Sequence, residues 1–242
     1  MTPTTPTPAE HSPTRTSRFT RGVRLGTPIF LGYVPVGMAF GVLATTIGFT
    51  ATQAVICSAT ALAGAGQFIA LNLMKSGADV LAVVTATTVV NLRYVLFGAT
   101  LSPYLSGMSL PRQALLAFTL TDETFAVNVS DRRQGLSTGA SMAGVGAVAW
   151  SGWVAGTAAG ALAAAWIGDP SRWGVDFAMP AMFIALLIAL AEDRRHVSVA
   201  ALAAALAIGL PALAPLGIVV PASWIIVIAS MGAATAGAVI FR

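Results

Sequence analysis

The feature that most limits what this chain can become is a series of long blocks that are apolar on every side. Residues 81–90 and 181–190 contain no charged residue and no alternation of polar with apolar positions. Such a block has no polar face to offer water. Only 9% of the chain is charged, against about 25% in an ordinary soluble domain. A water-soluble fold of this composition has too few polar groups to cover its surface, and lipid as the solvent removes that difficulty. In lipid every backbone group must be satisfied internally, so helices or a closed barrel remain. Barrel strands alternate between lipid and lumen, which these blocks do not. The sequence therefore predicts an all-α, polytopic transmembrane helical bundle.

About seven or eight spans are expected, each near the ~20 residues that cross a ~30 Å hydrocarbon core. Their bounds are read as 27–49, 51–74, 79–101, 112–130, 138–167, 175–191, 197–213 and 216–240. The fifth is long. The seventh is short, Ala-rich and ends in PALAP. Residues 1–17, MTPTTPTPAEHSPTRTS, lack apolar periodicity and read as disordered. They lack the short apolar core of a signal peptide. With the arginines that follow they form a basic cytoplasmic tail over 1–24, and 25–242 is the membrane domain.

The basic residues set an orientation. A pI near 10 raises the question of nucleic acid, but the basic residues lie between apolar blocks and not along one polar face. With the N-terminus in the cytoplasm, Arg15, Arg18, Arg21, Arg24, Lys75, Arg132, Arg133, Arg194, Arg195 and Arg242 fall inside. Arg93, Arg112 and Arg172 do not. That asymmetry predicts N-in and, for an even number of spans, C-in. The single cysteine, Cys57, permits no intrachain disulfide and reads as a small packing residue.

Two spans read as broken helices. The first, GTPIFLGYVPVGMAFG, carries Pro28 and Pro35 among glycines, and each proline removes a backbone donor. The second holds AGAGQF, with Gly64 and Gly66 beside Gln67. Discontinuous helices in neighbouring spans are how transporter sites gain free backbone groups at membrane depth. In the fifth span Gly152, Gly156 and Gly160 recur every four residues and mark one face for close helix packing.

Ionisable groups within a membrane are costly and point to function. The third span holds Asn91 and Arg93, and the fourth holds Asp122 and Glu123. In an antiparallel hairpin turning near Ser106, Arg93 and the acidic pair differ in depth by about 4.5 Å, so Arg93 is expected to approach Asp122 or Glu123. The other carboxylate is left to face a cavity, since neighbours on a helix point about 100° apart. A simple ion pair that only joins two helices is the plainer alternative. Asp176 is expected at the outer mouth of the sixth span, capping its helix. Trp150, Trp153, Trp166, Trp173 and Trp224 fall mostly near predicted interfaces or packing faces, and read as an aromatic belt rather than as ligand-stacking groups. No nucleophile–base pair, HExxH, GxSxG or P-loop pattern occurs, and His11 and His196 lack metal-site companions. Neither an enzyme nor a metal or cofactor site is expected.

Taken in order, GYVPVGMAFG at 32–41, AGAGQF at 63–68, NLRYVLFG at 91–98, TDETFAV at 121–127 and GVDFAMPAMFIALL at 174–187 resemble the AzlC family. These are the large subunits of branched-chain amino acid exporters. Tyr94 departs from the pattern, since many members carry histidine after the arginine. The resemblance implies a secondary transporter in a bacterial cytoplasmic membrane that exports hydrophobic amino acids and works with a small AzlD-type membrane subunit. On this reading Pro35, Gly64, Gly66, Gln67, Asn91, Arg93, Asp122 and Glu123 line the pathway, driven by a proton gradient or the membrane potential. A small-solute channel and a non-transporting assembly subunit are the alternatives.

Overall fold

A computed structural model describes residues 14–167, 193–216 and 222–241, with isolated positions between 172 and 191. It divides into two units, residues 1–180 and 181–242. Among the described residues all regular structure is helical, and four helical stretches are long and apolar enough to cross a membrane: Arg15–Thr46, Val80–Leu105, Gly139–Trp166 and Arg194–Pro215.

The first unit is built on α1 (Arg15–Thr46) and α8 (Gly139–Ile167). They run parallel. Gly22 lies against Ser141, Gly26 against Val145, and, in step, Phe30, Val34 and Met38 lie against Gly152, Gly156 and Gly160. A Cβ at Gly156 or Gly160 would overlap the carbonyl oxygen of Val34 or Met38, so the glycines are what allow the backbones to touch. The first span is not broken: α1 is continuous through Pro28 and Pro35. Each proline still removes one donor, but the α8 face runs along the whole helix and holds it in place. Residues 15–24, read from sequence as part of the tail, belong to α1. Thr14 caps α1 by accepting from Ser17 N, so residues 15–24 are helical.

Between these two helices the chain makes one crossing and two returns. The crossing is α4 (Val80–Asn91) continued by α5 (Arg93–Leu105), with Leu92 as the joint. The expected second span is instead two short helices, α2 (Ala51–Thr60) and α3 (Gly64–Lys75), separated at residues 61–63. The expected fourth span is likewise α6 (Leu110–Phe118) and α7 (Asp122–Arg133), separated at residues 119–121. At 1.5 Å per residue these pieces are about 14 to 18 Å long, half of what a crossing needs.

Contacts with the parallel pair show where each piece runs. In α2, Ser58 bonds Thr157; in α3, Gly64 lies against Trp153, while Phe68 has already turned back toward Phe40. The α2–α3 hairpin thus enters from the C-terminal end of α1, reaches mid-depth and returns. From the other end, Met108 lies against Gly139 and Thr119 against Gly146. Thr121 then meets Tyr33, and Asp131 comes back to Arg21. The α6–α7 hairpin thus enters from the N-terminal end of α1 and leaves there. Each hairpin follows a crossing helix, and the two are oppositely directed. This is an inverted repeat of span and re-entrant hairpin.

The repeat revises the charge map. Arg112 lines one groove with Arg15, so it shares the N-terminal end of α1. Lys75, at the outer end of α3, lies at the opposite end. Arg93 is at mid-depth. Asp131 is buried and holds Arg21 through two hydrogen bonds, while Arg132 stacks 4.6 Å from the Tyr104 ring.

In the second unit Asp193 caps α9 (Arg194–Gly209) by accepting from Arg195 N and His196 N. The PALAP segment forms a 3-10 turn over Pro211–Leu216. Then α10 (Ala222–Ile240) packs antiparallel to α9, Gly237 against Val199 and Gly232 against Leu206.

Candidate translocation site

The tips of the two hairpins and the α4–α5 joint meet at the middle of α1 and α8. Sequence makes each tip stop where it does. Ala61, Leu62 and Ala63 leave helical geometry, and α3 restarts at Gly64 with no side-chain cap. The first amides of α3 therefore lack both an intrahelical acceptor and a capping oxygen. Gly66 gives the Asn91 side chain room, since an added Cβ would come 2.9 Å from Asn91 Nδ2. Asn91 Oδ1 and Arg93 Nε are buried without a hydrogen-bond partner. The other tip is capped twice over. Thr121 Oγ1 accepts from Thr124 N, and Thr124 Oγ1 accepts from Thr121 N at 2.8 Å. Asp122 and Glu123 occupy the first turn of α7, where the helix dipole favours negative charge.

The two acids take different partners. Arg93 reaches Asp122, with Nη1 3.0 Å from Oδ1 and 2.8 Å from Oδ2. Glu123 Oε2 accepts from the Tyr33 hydroxyl, which also lies 2.8 Å from Thr121 Oγ1. Tyr33 sits edge-on to Trp153 at 5.4 Å. Trp153 Nε1 donates to Gln67 Oε1 at 2.9 Å, and Gln67 Nε2 lies 3.5 Å from Ser58 Oγ. Ser58 and Thr157 share a hydrogen bond of 2.7 Å.

Of the residues the sequence marks, Gly64, Gly66, Gln67, Asn91, Arg93, Asp122 and Glu123 lie at or beside these tips. Pro35 is inside the continuous α1, near this level. Gly152, Gly156 and Gly160 face α1 and not the tips. Asp176, and the sixth span at 175–191 as a continuous element, lie outside the described residues. Tyr33, Thr121, Ser58, Thr157 and Trp153 are partners the sequence reading missed. Trp153 is 1% exposed, so it is a buried anchor and not part of an interfacial belt; Trp166 is exposed. The signal for Thr121 was its place as a threonine ahead of an acidic first turn. Tyr33 gave none beyond its place in the GYVPVG block.

The AzlC protein family model matches residues 28–167, the stretch that carries both hairpins. The chain belongs to the AzlC family. It is 33% identical to an inner membrane protein, YgaZ, of Escherichia coli K12, over 84% of each chain. It is 32% identical to a membrane protein of Archaeoglobus fulgidus, over 88% of this chain and 94% of that one. To a branched-chain amino acid transport protein, AzlC, of Bacillus subtilis 168 it is 28% identical, over 71% of this chain and 67% of that one. No solved structure matches it significantly. It is therefore an AzlC-family membrane protein, and the Bacillus subtilis relative is the one of these three named for transport.

Proposed function

We propose that this chain is the translocating subunit of a secondary exporter of branched-chain and related hydrophobic amino acids. It works by alternating access in a bacterial cytoplasmic membrane, N-terminus inside. A small AzlD-type membrane subunit completes the machine, and a proton gradient or membrane potential drives it. One observation carries the reading: two oppositely directed hairpins bring an uncapped helix N-terminus and a carboxylate–arginine pair to the same depth.

A zwitterion needs both. Its carboxylate suits the free amides at Gly64–Gly66, with Asn91 and Arg93 beside them. Its ammonium suits Asp122 and the unpaired Asn91 Oδ1. An apolar wall then accepts the branched side chain, discriminating by only ~1–3 kcal/mol per methylene, so several amino acids share the route. The arginines at the N-terminal end of α1, now including Arg112, support N-in.

Counterflow of labelled leucine or valine in proteoliposomes holding both subunits tests the proposal. Saturable exchange is expected. Open-pore conductance without saturation sinks it in favour of a channel. Absence of flux from an assembled complex leaves a scaffold role.

A further inference from the structure

We propose that Glu123 and Tyr33 form a proton-binding site at the tip of the α6–α7 hairpin, loaded and emptied once in each transport cycle. The inference rests on the transport reading above for its role in a cycle, but not for the site itself. Asp122 and Glu123 are adjacent, yet only Asp122 is matched by a cation. Among the described residues no arginine, lysine or histidine pairs with Glu123. Its outward partner is the hydroxyl of Tyr33, which is 6% exposed.

Of the two acids at this tip, Glu123 is the one that no cation holds in its charged form. From α1 it faces Tyr33. From α5 come Arg93, committed to Asp122, and Tyr94, whose hydroxyl feels both acids. From its own helix comes Asp122. On the far side of Tyr33, α8 presents Trp153 and α3 presents Gln67, neither of which titrates.

The hydrogen bonds have two complete settings. Tyr33 has one phenolic hydrogen and two oxygens within reach, Glu123 Oε2 and Thr121 Oγ1. With Glu123 ionised, that hydrogen goes to the carboxylate. With Glu123 protonated, the carboxyl O–H donates to Tyr33 Oη, and Tyr33 turns its hydrogen to Thr121 Oγ1. No group is left unsatisfied in either setting. The proton comes from water on one side of the membrane and returns to water on the other; Arg93 and Asp122 keep their charges. Thr121 is the cap of α7, so the change of setting is felt at the hairpin tip. Protonation of Glu123 removes the one charge at this tip that no cation matches, which lowers the cost of moving the tip into less polar surroundings.

Infrared difference spectra of the full chain in nanodiscs, recorded from neutral to acidic pH, test the site without any substrate. A protonated-carboxyl C=O band should appear on acidification and vanish in Glu123→Gln. Tyr33→Phe, which removes only a hydroxyl, should move that band to higher frequency by taking away its hydrogen-bond partner. In proteoliposomes, whatever leucine exchange Glu123→Gln retains should no longer vary with pH. A band unchanged in both variants, or an undiminished pH dependence in Glu123→Gln, overturns the proposal. The expected band in a wild-type protein that shows no amino acid counterflow upholds the proton site and sinks the transport reading instead.

Discussion

The two re-entrant hairpins share a course and differ in chemistry. The α2–α3 tip is made of small apolar residues, has no side-chain cap and presents bare amides from Gly64 onward. At the α6–α7 tip the N-terminus of α7 is closed by a reciprocal Thr121–Thr124 capping box and carries two carboxylates. One tip is an electropositive backbone end, the other an electronegative side-chain end, and Arg93 at the α4–α5 joint is paired to the second. An inverted repeat thus supplies two similar scaffolds, and the sequence at each tip gives them opposite sign. On the proposed transport reading, that difference suits the pair to a zwitterion, where two identical tips would suit an ion of one charge.

The largest expected effect comes from breaking the acidic tip away from Arg93. Removing one partner of a buried pair costs roughly 3–5 kcal/mol; this pair is partly exposed, at 24% and 19%, so the lower end applies. Arg93→Ala should reduce leucine counterflow by more than about tenfold, the equivalent of about 1.4 kcal/mol. The double variant Arg93→Gln, Asp122→Asn should recover thermal stability in detergent but not flux. Recovered flux would make the pair a helix clamp and remove the functional contrast between the tips.

Next comes the frame that both hairpins share. Gly156→Leu drives a side chain into the Val34 carbonyl, beyond the ~1–3 kcal/mol of ordinary overpacking. The melting temperature should fall sharply, and both tips should lose function together. A variant that melts normally would show that α1 and α8 do not touch along this face.

Smaller effects separate the tips. Thr121→Ala removes a cap and should cost about 1 kcal/mol, read as a lower melting temperature, with Thr121→Ser close to wild type. At the other tip, Ala63→Ser offers an oxygen to amides that are free in the native protein. It should leave melting nearly unchanged and weaken substrate competition in the counterflow assay. If Ala63→Ser has no effect on competition, the α3 amides are not the carboxylate site.

Much of this was legible in the residues. The all-α membrane class follows from the charge-poor apolar blocks, and the span read at 138–167 is the helix Gly139–Ile167. The approach of Arg93 to Asp122 follows from depth counting across a short connection. What hydropathy does not encode is direction. Residues 51–74 are as apolar as a crossing helix whether they cross or fold back, because lipid-facing composition is the same for both. The same holds for 112–130. The hints were local: the GAG run at 64–66, and a threonine before two acids at 121–123. The prolines of α1 misled in the opposite sense, since α8 packing decides the continuity of that helix and sequence periodicity does not show it. Trp153 was hidden because a buried tryptophan and an interfacial one look alike until a partner such as Gln67 is found.

Inversion of the repeat depends first on residues 51–75 folding back to the end of α1 that they leave, and cysteine accessibility on either side of the next crossing reads that out. On a Cys57→Ala background, single cysteines at Ala78 and Ser106 are labelled with a membrane-impermeant maleimide in right-side-out and inside-out vesicles. Ser106→Cys should react from the side that holds the N-terminus and Ala78→Cys from the opposite side. If both hairpins were simple crossings, the two positions would exchange sides, and that result would contradict the inverted repeat.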